Sequence, residues 1–218
     1  MSATRPLPLR YVQLLRALFA AVAALMITFS ADHSAIVGLS VFSGFALVSG
    51  LIYIIAAWLA MPEGWRWPYV LLAVVSVLTG MAGGVPAWRS TPLFFVVVIA
   101  WGALTGTVEL VAGIRARRLA AAGRMPKHDS ARDAILTGSL GLALAVGLLC
   151  VPTTYALTYS IAEAGSFTLT GITLAVGIFG AYAAVVAVFL GIAGLGPRAR
   201  EEAPAAVGTA AADNEGQA

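Results

Sequence analysis

Two charged side chains interrupt otherwise apolar stretches of this chain, and their types and positions make them the first candidates for chemistry: Arg16 and Glu109. Each lies about six residues inside the end of an apolar run, so at 1.5 Å rise per residue both sit roughly 9 Å below the same membrane interface. A charge at that depth costs a few kcal/mol, and an opposite charge beside it reduces the cost. Tyr53, at similar depth in another run, completes a candidate intramembrane polar layer. Two readings stand. In one, Arg16 and Glu109 meet; in the other, Arg16 extends its stem to the headgroups and Glu109 is protonated or close to water. A layer of this kind could also carry a proton or an ion. Beyond it, however, the outer halves of the runs offer only hydroxyls such as Ser76, Thr79, Thr105, Thr137 and Thr170.

Catalytic constellations are not expected elsewhere. The two histidines, His33 and His128, fall in loops on opposite sides of the membrane, so neither a Ser-His pair nor a two-His metal site can be assembled inside it. The chain holds no HExxH, P-loop or GxGxxG motif, and Gly138-Ser139-Leu140-Gly141 has the wrong order for a nucleophile elbow. Asp32-His33 could sense pH, but Asp, His and Ser in a short loop are ordinarily turn and cap residues. Cys150, the single cysteine, reads as a small buried hydrophobe at a helix end. Neither an enzyme activity nor a cofactor nor a metal is expected.

The elements that hold these residues follow from composition. Of 218 residues 60% are hydrophobic and 11% charged. Soluble domains carry about 25% charged residues, so the apolar surplus must face lipid. Apolar runs long enough to cross about 30 Å of hydrocarbon occur roughly at 10–29, 34–60, 68–85, 92–114, 133–151 and 166–194. Each is bounded by helix-breaking residues such as Pro62, Pro86, Pro126, Pro152, Gly165 and Pro197. Isolated strands would leave backbone groups unpaired in lipid, so the expected fold is all-α, a polytopic membrane protein of six transmembrane helices. The first run reads as a retained signal anchor, because cutting after Ala31 would put bulky Phe29 near the cleavage point.

Orientation comes from the 13 lysines and arginines. All but Arg89 fall at the termini, in the even-numbered loops, or, as with Arg16, within reach of that side; both termini are therefore expected in the cytoplasm. The domain reading is a cytosolic N-terminus at 1–9, the six-helix bundle at 10–195, and a disordered cytosolic tail at 196–218, which is poor in aromatics and rich in Ala, Glu, Gly and Pro. The fourth loop carries Arg115, Arg117, Arg118, Arg124 and Lys127, read as topology determinants and contacts to anionic lipid headgroups of the bilayer. Nucleic acid is not an expected partner, because no aromatic residue interleaves these charges for base stacking.

The even-numbered spans repeat a small-residue step. Ala46 and Gly50, Gly102 and Gly106, and Gly180 and Ala184 fall at matching positions, and such steps let helix backbones approach where hydrophobicity cannot drive association. The third and fifth spans both exit through Val-Pro, at Val85-Pro86 and Val151-Pro152. Three tandem, parallel helical hairpins account for both echoes. The steps suit packing within one chain and also a homo-oligomer.

Within this repeat, the stretch VPAWRSTPLFFVVVIAWGALTGTVELVAGIRARR places Pro86, Thr91, Trp101, Gly106, Glu109 and the Arg115, Arg117, Arg118 cluster in order. It resembles the HdeD-like membrane family of short tandem hairpin repeats. The resemblance is motif-specific only over about 80 to 118; the first hairpin lacks the exit Pro, and Tyr53 and Ala187 stand at the positions of Glu109. What it implies is a bacterial inner-membrane protein linked to acid or general stress resistance, with no established reaction. The expected function is accordingly a non-enzymatic scaffold or small regulator in envelope or stress physiology. The alternative is a small transporter or channel using the layer around Arg16, Tyr53 and Glu109.

Overall fold

The computed structural model describes residues 9–61, 64, 66–124, 130–161 and 165–196. Six helices carry the chain: α1 Leu9–Thr28, α2 Ala35–Leu59, α3 Trp67–Gly84, α4 Thr91–Ala121, α5 Ser130–Leu149 and α6 Gly171–Leu195. All six are long and apolar enough to cross a membrane. Their starts are set by local chemistry. The hydroxyls of Ser34, Ser90 and Thr170 accept from the backbone N–H three residues on, and α3 and α4 begin with a proline in the first turn, where no N–H is needed. Asp32 accepts from the N–H and hydroxyl of Ser34, both at 2.8 Å, which is turn-and-cap chemistry.

The helices form a closed ring, each packed on its neighbours in sequence, with α6 returning to α1. The most extensive packing joins α2 to α3, α4 to α5 and α6 to α1. Units built from the first and second, third and fourth, and fifth and sixth spans were expected; the tight pairs are displaced by one helix from that scheme. The cause is visible at the small residues. A Cβ added at Gly50 would lie 2.7 Å from Val77, one at Gly106 2.8 Å from the Gly138 carbonyl, and one at Gly180 2.8 Å from Ile27. Each even-numbered helix thus turns its small face to the odd helix that follows it, or, for α6, to α1. The α4–α5 pair is closest, because Gly102 and Gly106 meet Gly141 and Gly138 glycine to glycine. Dispersion between backbones in contact is what holds helices together in lipid.

Aromatic residues from the even-numbered helices fill the centre of the ring. Phe42 and Phe45 of α2 pack edge-on against Trp101 of α4 and Phe179 of α6, with ring centroids 5.5–5.7 Å apart. The Trp101 indole N–H donates to Ser76 Oγ at 3.1 Å, so its polar edge is satisfied inside the bundle. The outside of the ring is a belt of exposed apolar side chains, among them Leu18, Leu51, Leu78, Val96, Val146 and Val188. That is the surface of a multi-pass membrane protein.

The six-helix, all-helical architecture is as expected, and the connection from α5 to α6 adds an antiparallel hairpin, β1 Ala156–Ile161 and β2 Gly165–Thr170, pairing Leu157 with Leu169 and Thr158 with Thr168. Three expectations about particular residues need correction. The last span was expected from Ser166 and starts at Gly171; the β-branched threonines at 168 and 170 favour the extended chain, and Thr170 then caps α6. The fourth span was expected to stop near Ile114, but α4 runs two turns further, so Arg115, Arg117 and Arg118 stand on a helix and not in a loop. Cys150, expected buried, is exposed, because α5 stops at Leu149 and leaves it beyond the packed face.

Candidate functional site

At least one polar residue from each of the six helices converges near the basic end of the bundle, the end where Arg10, Arg66 and the α4 arginines lie. Arg16 comes from α1, Tyr53 from α2, Tyr69 from α3, Glu109 from α4, Thr137 from α5 and Tyr182 from α6. Arg16 donates from one terminal nitrogen to Glu109 Oε1 at 2.6 Å, an ion pair whose carboxylate side chain is 8% exposed and whose guanidinium side chain is 17% exposed. The Tyr53 hydroxyl donates to the same oxygen at 2.9 Å. The Arg16 guanidinium also lies over the Tyr53 ring, 4.9 Å from its centroid, and Tyr69 packs edge-on against that ring. Of the two readings of depth, the structure has the residues meeting. Arg16 turns inward and does not reach out to headgroups.

Sequence position explains why these residues can meet. Arg16 and Glu109 sit at equal depth on helices of opposite direction, and α1 and α4 both border the ring's interior. Tyr53 occupies in α2 the repeat position that Glu109 occupies in α4. At that position α6 has Ala187, and Tyr182, five residues earlier, supplies the hydroxyl instead.

Depth counting alone missed Gln13, Tyr69, Asp133 and Tyr182. Gln13 lies one turn before Arg16 on the same face of α1, and its amide donates to the Asp133 carboxylate of α5. That spacing was the available signal, since i and i+3 share a helix face. Thr137 was expected in the outer half, yet it lies one turn from Asp133, returns its hydroxyl to the Asp133 carbonyl at 3.0 Å and lines the same cavities as Glu109.

Two adjoining cavities touch this centre. One, of about 60 Å³, is lined by Gln13, Arg16, Tyr69, Glu109, Asp133 and Thr137 among others. The other, of about 10 Å³, lies deeper and touches Ser49, Tyr53, Glu109, Thr137 and Tyr182. Beyond it Phe45 and Trp101 close the bundle, followed by Phe42 and Phe179.

The remaining predicted residues fall elsewhere. Gly50, Gly102, Gly106 and Gly180 serve packing inside the chain, and Gly106 also lines the deeper cavity beside Glu109. Arg115, Arg117, Arg118 and Arg124 are exposed at the basic end. Lys127, His128, Glu163, the segment 1–8 and the tail from 197 lie outside the described residues. Among the described residues no three His, Cys, Asp or Glu side chains are grouped to hold a metal ion. Comparison of this chain with family models, curated proteins and solved structures gave no match.

Proposed function

We propose that this chain is a non-enzymatic integral protein of the bacterial inner membrane, with both termini in the cytoplasm, serving envelope or stress physiology as a scaffold or small regulator. In this reading the Arg16–Glu109–Tyr53 centre is a clamp that ties α1, α2 and α4 together. The observation that carries it is the closure beyond the centre: the deeper cavity ends at a cluster of Phe42, Phe45, Trp101 and Phe179, whose rings pack edge to face, and the buried hydroxyls at that level, Ser43 and Ser76, are bonded to the Gly80 carbonyl and the Trp101 indole. A transport path needs polar or hydrated groups through both halves of the membrane. The resemblance around Trp101 and Glu109 to HdeD-like proteins supports the stress assignment.

The alternative, a small transporter or channel, draws on the 60 Å³ cavity that brings Glu109 toward the basic end. Proteoliposomes loaded with pH- and potassium-sensitive dyes separate the two. The clamp reading expects flux no greater than in protein-free vesicles. Flux that disappears in the Glu109→Gln variant overturns it.

A further inference from the structure

Glu109 is 7% exposed, and both of its bonds, from Arg16 and from Tyr53, end on Oε1. Oε2 receives neither. A carboxylate offers about four acceptor positions, and leaving them unused away from water is costly. Two hydroxyls close by are in the same condition: Ser49 Oγ and the Tyr182 hydroxyl make no hydrogen bond among the described residues. Their neighbours do otherwise, since Thr105 and Thr137 return their hydroxyls to helix carbonyls at 2.6 and 3.0 Å. None of the three unpartnered oxygens is sealed; the one sealed, unpartnered side-chain atom among the described residues is Arg89 Nε, in the loop between α3 and α4. All three residues instead line the deeper cavity, of about 10 Å³. That is close to the room one water molecule needs.

We propose that this chamber is a binding site for a single water molecule, donating to Glu109 Oε2 and Ser49 Oγ and accepting from the Tyr182 hydroxyl. Charge selects the ligand class. Arg16 already balances Glu109, so a further cation is repelled by the guanidinium and an anion by Oε2; a small neutral donor-acceptor fits both. The larger cavity shares Arg16, Glu109 and Thr137 with the chamber and extends to Gln13 and Asp133, so the site exchanges with solvent at the basic end. Phe45 and Trp101 bar it from the opposite end. The site adds a ligand to the clamp and rests on that reading of the pair. Hydration can nevertheless be measured whether or not Arg16 and Glu109 are energetically coupled, so the two ideas fail separately.

Microsecond radiolytic hydroxyl labelling with mass spectrometry tests the site, because radicals born from an internal water modify the side chains beside it. The full chain is used in nanodiscs of phosphatidylethanolamine and phosphatidylglycerol. After correction for intrinsic reactivity, the partly buried Tyr182 is expected to be labelled several-fold faster than Phe19 and Phe189, which are also partly buried but line neither cavity. In Ser49→Val, which replaces a hydroxyl lining the chamber with apolar bulk, labelling of Tyr182 falls several-fold while that of exposed Tyr11 is unchanged. Tyr182 labelled no faster than Phe189 in the unaltered chain overturns the proposal, and that comparison holds even if the variant does not fold. Undiminished labelling in a folded Ser49→Val variant overturns it too.

Discussion

Removing either partner of the Arg16–Glu109 pair strands the other in a site that excludes most water. Arg16→Ala and Glu109→Gln should each cost on the order of 2–4 kcal/mol, less than a fully buried pair would because the guanidinium keeps some exposure. The double variant should cost less than the sum, since the two side chains share one contact. Unfolding in detergent checks this, and strict additivity would show that the pair carries no coupling. Tyr53→Phe removes one hydrogen bond to Oε1 and should cost about 1 kcal/mol. At this scale the sequence was informative along one coordinate only. Rise per residue gives depth, which was enough to find Arg16, Tyr53 and Glu109. It gives no rotation about the helix axis, and so Tyr69 and Tyr182, which reach the same centre from α3 and α6, were not distinguishable from other interfacial tyrosines.

Helix pairs stand or fall on backbone contact, and the glycines show where. A Cβ at Gly138 would lie 2.5 Å from the Leu110 nitrogen and 2.7 Å from the Gly106 carbonyl, both rigid backbone. Gly138→Ala should therefore separate α4 from α5 and cost about 1–3 kcal/mol in thermal unfolding. Gly177→Ala, where nothing lies within 4 Å, should be neutral or slightly stabilising. Equal effects at the two sites would remove close backbone packing as the explanation. The two extra turns of α4 raise a separate expectation. Arg115, Arg117 and Arg118 are exposed on them, and changing all three to Gln should weaken retention of anionic lipid by about 1 kcal/mol per residue, measured by native mass spectrometry. Undiminished retention of phosphatidylglycerol would assign those charges to topology alone. Span existence was legible because lipid imposes length and apolarity. The β1–β2 hairpin was not, since ALTYSI and GSFTLT are apolar enough to pass for the lead-in to a helix, and only the cross-strand pairing distinguishes them.

For the whole molecule, the most extensive packing joins each even-numbered helix to the odd one that follows, and for α6 to α1. The pairs α2–α3 and α4–α5 are joined directly, but α6 finds its partner in α1, from which four helices separate it in the chain. Matching small residues in α2, α4 and α6 marked the faces that pack closely, while the partner each face meets is a tertiary fact. Closure can be tested at the α6–α1 seam. A Cβ at Gly194 would sit 2.7 Å from Leu14 Cγ, which leaves the two Cβ atoms at most about 4 Å apart, inside disulfide range. In a Cys150→Ala background, Leu14→Cys with Gly194→Cys should therefore cross-link within one chain on mild oxidation in native membranes. A control pair, Leu14→Cys with Leu78→Cys, places one cysteine on the exposed side of α3 and should not. Cross-linking only between chains would move the seam to an oligomer interface, and no cross-link at all would mean that the ring is open. With the seam closed, α1 cannot complete its packing until α6 has been inserted. Truncation before Gly171 should then leave α1 without its main partner, and the fragment should be cleared by membrane proteases faster than the full chain in a pulse-chase measurement.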